Sequence, residues 1–122
     1  MSRISIQSGK GKIILEFDFM ENPTAKMISE SLPIISQAST WGDEIYFDTG
    51  IKAPVEDATL DVDVGDIAYW PEGKCLCLFF GRTPISSGEK SVPASEVVIV
   101  GRTKVAPEQL RKVLDGDRVI VE

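Results

Sequence analysis

Arg82 stands two residues beyond Phe80 and close along the chain to Tyr69, Trp70 and Phe79. Aromatic rings beside one guanidinium suit a small binding cleft: flat apolar walls, and one anchor able to grip a carboxylate or phosphate with two hydrogen bonds. These residues fall in a single run, GDIAYWPEGKCLCLFFGRTPI from Gly65 to Ile85, which reads as two strands joined by a Pro71-Glu72-Gly73-Lys74 turn. Strand alternation predicts Leu78 and Phe80 on one face, with Cys77 and Phe79 on the other, in the core. A strand continuing past Phe80 would hold Arg82 on the Phe80 side, where Tyr46 and Trp70 could supply walls. The candidate ligand-binding set is therefore Tyr46, Trp70, Leu78, Phe80 and Arg82, for an anionic or aromatic small ligand. The same residues could equally form a buried hairpin that needs no ligand.

Other chemistries find less support. The chain has no histidine, which removes the commonest general base and metal ligand. Ser86 and Ser87 therefore lack the usual activating base, and Lys74 and Lys90 lie in turn-like sequence. Cys75-x-Cys77 lacks the further ligands that zinc requires, so core packing is the expected use. The string Asp61-x-Asp63-x-Gly65-Asp66 faintly resembles a calcium loop, but its alternating valines predict a strand with a solvated acidic face. Ser8-Gly9-Lys10-Gly11-Lys12 lacks the spacing of a phosphate loop and is followed by a strand, which makes it a hairpin turn. No catalytic residue, metal or cofactor is implied; an enzyme would need an acid–base pair positioned among Glu44, Asp48, Lys52 and Arg82.

The elements that would carry these residues are short. Arg3–Gln7 and Lys12–Met20 alternate as an antiparallel hairpin, the second with Ile13, Leu15, Phe17 and Phe19 inward. Asn22-Pro23 is a helix start, predicting a helix from Pro23 to Leu32. Strands are expected at Asp43–Asp48, Ala58–Val64, Ile67–Trp70, Cys75–Phe80, Glu96–Val100 and Arg118–Val121, with a second helix at Pro107–Leu114. Cys75–Phe80 is apolar on both faces, so something must cover its outer side. Gly-Arg-Thr recurs at Gly81 and Gly101, each read as a strand exit. About eight strands with two small helices in one domain, residues 1–122, predict a closed antiparallel β-barrel, since closure removes exposed sheet edges.

The segments Trp41–Phe47, Gly65–Pro71 and Leu78–Pro84 resemble a family of small prokaryotic cyclophilin-like proteins catalogued as a domain of unknown function. The resemblance spans essentially the whole chain, and it implies an eight-stranded cyclophilin-like barrel with two short α-helices. Cyclophilins are peptidyl-prolyl cis/trans isomerases, and their catalytic arginine would fall at Asp48 or Thr49. Their phenylalanine, methionine and glutamine would fall at Leu60, Asp61 and Asp63, and their tryptophan and histidine near Val92 and Val97. Only the pocket phenylalanine is matched, by Phe80. Isomerisation requires weakening the conjugation of the prolyl amide, and an ionised aspartate has no proton to donate to the prolyl nitrogen. The resemblance thus carries the fold and argues against the activity.

With 43% hydrophobic and 26% charged residues the composition is that of a globular domain. A net charge of -6 with scattered lysines and arginines argues against nucleic acid, which demands clustered positive charge. The chain has neither an apolar run long enough to span a membrane nor a signal-like start, and its two cysteines suit a reducing compartment, so a cytoplasmic location is expected. Three functions fit: a non-catalytic module binding a small molecule or short peptide in a cleft near Phe80, a vestigial prolyl isomerase or other enzyme, or an interaction subunit such as a homodimer using the cleft as its interface.

Overall fold

The computed structural model describes residues 1–9 and 11–122; Lys10, the third residue of the first expected turn, lies outside them. Among the described residues nine strands and two helices run in the order β1 (Ser2–Ser8), β2 (Gly11–Phe19), α1 (Pro23–Glu30), β3 (Ile34–Gln37), β4 (Ser39–Thr40), β5 (Glu44–Asp48), β6 (Asp66–Trp70), β7 (Cys75–Phe79), β8 (Val98–Arg102), α2 (Pro107–Leu110) and β9 (Arg118–Val121). Every pairing is antiparallel, and the sheet order is β3-β9-β1-β2-β8-β6-β7-β5-β4.

The two edges of this sheet, β3 and β4, are consecutive in the chain. Ala38 separates them: its N–H donates to Asp117 O, and its carbonyl accepts from Gly116 N. One bent segment, residues 34–40, therefore pairs with β9 at one end and β5 at the other and draws the sheet into a nearly closed barrel. Taken as one strand, it brings the observed count to eight, but this segment was not among the strands expected, and residues 58–64, which were, form none.

The interior is filled by alternate residues of the strands, among them Ile4, Ile6, Leu15, Phe17, Ile45, Phe47, Ile67, Tyr69, Leu76 and Leu78, and by Phe80 just beyond β7. Helix α1 buries Ala25 and Ile28 against the barrel, with Asn22 capping its start by accepting from Ala25 N. Both helices end earlier than expected, at Glu30 and Leu110. In α1, Ser29 and Ser31 bond back to Lys26 O and Met27 O, a local alternative that closes the last turn.

Strand β7 is buried on both faces. Leu76 and Leu78 point into the barrel, while Cys75, Cys77 and Phe79 join a second, outer cluster with Val62, Ala68 and Val97. The cover comes from the loops around Val62 and Val97, which meet at a single Thr59–Val97 bridge. Residues 58–64 are thus not the strand that alternation predicted. The Thr59 hydroxyl accepts from Asp61 N, and buried Asp66 accepts from Asp63 N and from Arg102 Nε. Lys90 bridges Asp61 and Asp63 from outside. Side-chain-to-backbone bonds replace the ladder here, and only Val62 of the alternating apolar set is buried, with Leu60 and Val64 exposed. Gly101 also departs from expectation: it lies within β8, beside the Phe17 ring, and is no strand exit. No helix of the described residues is long and apolar enough to cross a membrane.

Candidate functional site

The outer face of the β5–β7–β6 wall carries the site. Register sets Tyr46 opposite Cys77 and Glu44 opposite Phe79, while Ala68 pairs with Cys77 and Trp70 with Cys75. Because alternate residues share a face, Glu44, Tyr46, Cys77 and Trp70 all project away from the barrel interior. With Trp41, Pro93, Ala94 and Val97 they line a cavity of about 230 Å³. Its lining is aromatic and aliphatic apart from the Glu44 carboxyl, the Cys77 thiol and the Tyr46 phenol.

Local sequence fixes each wall. Trp70 and Tyr46 meet edge to face, ring centroids 6.3 Å apart at 81°. The Trp70 indole donates to Ser95 Oγ at 2.6 Å, tying the ring to the loop that supplies Pro93 and Ala94. Its ring lies over the β6–β7 turn, where a Cβ on Gly73 would stand 2.6 Å from it. A tight turn opens β5: Trp41 N donates to Glu44 O at 2.9 Å, with Gly42 at φ +61° packed against Arg82 O and Pro84. Trp41, Tyr46 and Trp70 are half-buried, so the cavity has a rim reachable from solvent.

Glu44 is the group that does not fit a purely structural role. The residue is only 6% exposed, and its Oε1 receives no hydrogen bond from any described residue. Burial raises its pKa to about 7, with hydrogen bonding to the neighbouring Cys77 thiol acting in the opposite direction. No lysine or arginine among the described residues lines the cavity; Arg111 grips Asp43 through two bonds, Arg102 holds Asp66, and Lys90 holds Asp61 and Asp63. Burial and the adjacent Glu44 together push the Cys77 thiol well up, which keeps it protonated and unreactive.

Of the five residues expected to bind ligand, Tyr46 and Trp70 lie on this cavity. Leu78 and Phe80 do not: they are 1% and 3% exposed inside the barrel. The alternation along β7 is as expected, but the cleft lies on the Cys77 side, because the covering loops close over the outer face. Arg82 also stands apart. Strand β7 ends at Phe79, the chain turns at Gly81 against the Asp43 carboxyl, and the exposed Arg82 guanidinium donates to Ser86 O at 3.2 Å. Glu44, Trp41, Cys77, Pro93, Ala94 and Val97 were not in the expected set. The signal for Glu44 was its i, i+2 relation to Tyr46, and that for Cys77 was the apolar second face of β7. Asp48, Arg82 and Lys52 do not line the cavity with Glu44 to form an acid–base pair. Among the described residues no cluster of three or more cysteine or acidic side chains could hold a metal ion.

No curated protein matches the chain. Among solved structures, that of a hypothetical protein from Archaeoglobus fulgidus, AF2241, determined in solution, is 40% identical. It superposes with a TM-score of 0.74 over 98% of this chain and 92% of that one. The family described as Cyclophilin-like matches residues 2–122, so the barrel closed by the 34–40 segment, with its loop-covered outer wall, belongs to the cyclophilin-like family.

Proposed function

We propose that this protein is a non-catalytic binding module that holds a small molecule or short peptide in the cavity between Trp41, Tyr46, Trp70 and Val97. The observation that carries the reading is the buried Glu44 Oε1, which accepts no hydrogen bond from any described residue, in an otherwise apolar aromatic cavity. A buried polar group without a partner is destabilising, and a cavity that keeps one has the form of a ligand site: apolar walls with few convergent polar groups. The cleft expected near Phe80 is replaced by this one, on the other side of β7. A catalytic role has weaker support, since the Cys77 thiol is held protonated and no described cation or second carboxyl lines the cavity. A cytoplasmic location fits the two free, buried thiols.

Native mass spectrometry of protein purified without denaturation tests the reading. A bound species of a few tens to hundreds of daltons is expected, and Ala94→Trp, which fills the cavity from its exposed rim, should abolish it. Equal retention by that variant would move the site elsewhere.

A further inference from the structure

Glu44 also says what kind of occupant the cavity takes, an inference that rests on the binding reading above. We infer that the ligand is an organic ammonium ion on a compact apolar body, with its N–H donating to Glu44 Oε1 and its charge lying among the rings of Trp41, Tyr46 and Trp70. Two independent features point there. The first is the carboxylate oxygen, buried and without a donor from any described residue. Where that carboxyl ionises it needs a positive partner, and no lysine or arginine among the described residues lines the cavity to supply one. The second is the aromatic lining, because ring faces attract organic cations, most of all tryptophan.

Size limits the apolar body. A dry cavity of about 150 Å³ accommodates benzene. One of about 230 Å³ has room inside its rim for a single substituted ring or a lysine-like chain. An anion is disfavoured, since it would sit beside the carboxyl with no cation in the wall. The ammonium could come from a free amine or from a lysine side chain of a peptide.

The groups facing Glu44 keep the test interpretable. Cys77 from β7 is the titratable neighbour and stays protonated, and the Tyr46 phenol, whose ring lies two residues along β5, completes the set of ionisable groups on the cavity wall. With Glu44 near pH 7, its ionised fraction rises about tenfold between pH 6 and pH 8.

Benzylamine, benzyl alcohol, benzoate and Nα-acetyl-lysine amide would be titrated against the intact protein by calorimetry at pH 6 and pH 8, and against Glu44→Gln. Benzylamine or the lysine amide should bind about tenfold tighter at pH 8 than at pH 6 and should be preferred over benzyl alcohol and benzoate. Whichever of the two amines binds tighter names the source of the ammonium. Glu44→Gln should remove the pH dependence and weaken the amine at least tenfold at pH 8, while leaving benzyl alcohol within twofold. Should that variant fail to fold, the pH profile and ligand ranking of the unaltered protein decide alone. Binding of benzyl alcohol or benzoate as tight as the amines, or a flat pH profile, would overturn the ammonium assignment and leave the cavity as a binding site. Failure of every probe to bind would overturn both readings.

Discussion

Glu44 is where residue chemistry and stability meet. Its pKa is about 7 in the folded chain against an ordinary 4.5, so between those values the unfolded chain releases a proton that the folded chain keeps. Stability must therefore fall as pH rises from 4.5 to 7 and level off above, by at most about 3 kcal/mol. Glu44→Gln removes that slope, and at pH 8 it should melt several degrees above the unaltered protein. Parallel melting curves across this range would mean that the carboxyl is solvated. Arg82→Ala should do little: the guanidinium reaches only Ser86 O, so the change should stay within about 0.5 kcal/mol and leave binding untouched. A denaturant melt with a parallel ligand titration checks both. Tyr46 and Trp70 could be found from sequence because aromatic residues on short strands stand out. Glu44 shares a strand face with Tyr46 by its i, i+2 spacing, but its burial was not legible, because a carboxylate on a strand reads as solvent-facing until the covering loops are known.

At the scale of elements, the lesson lies in β7. Its alternation was legible, and so was the need for a cover on its second face. Which face carried the cleft was not, since that depends on where the segments around Val62 and Val97 come to rest, a long-range matter with no local signal. Residues 58–64 show the converse. Alternating valines suggested a strand, yet Thr59 and Asp66 take the backbone N–H groups for themselves. The turn between β6 and β7 should be the element most tightly bound to the site. Gly73→Ala would push a methyl into the Trp70 ring and against the Cys75 sulfur, which lies 3.2 Å from the Cβ position. A loss of about 1–3 kcal/mol is expected, the range for overpacking, with a changed tryptophan emission as the ring leaves its place beside Tyr46. Unchanged emission and stability would show that the turn yields freely.

For the whole molecule, barrel closure through one bent segment explains why the architecture was readable. Eight strands were expected; residues 58–64 form none, and the bent segment 34–40, divided at Ala38 and not among those expected, supplies β3 and β4 instead. The same architecture in cyclophilins supports prolyl isomerisation, yet the positions that would need to converge here are scattered. The carboxyl of exposed Asp48 accepts from Gly50 N, Asp63 pairs with Lys90, Val97 lines the cavity, and Phe80 lies inside the barrel. A protease-coupled assay on a short proline peptide should show only the uncatalysed rate. Acceleration abolished by Phe80→Ala, in a variant shown to fold, would reverse that conclusion.

The central claim is the position of the site, and amide and indole chemical-shift mapping with benzylamine tests it most directly. The largest shifts should fall on the indole N–H groups of Trp41 and Trp70 and on the backbone of Glu44, Tyr46, Cys77 and Ala94. Shifts centred instead on Arg82 and Ser86, with the Trp70 indole unmoved, would contradict it.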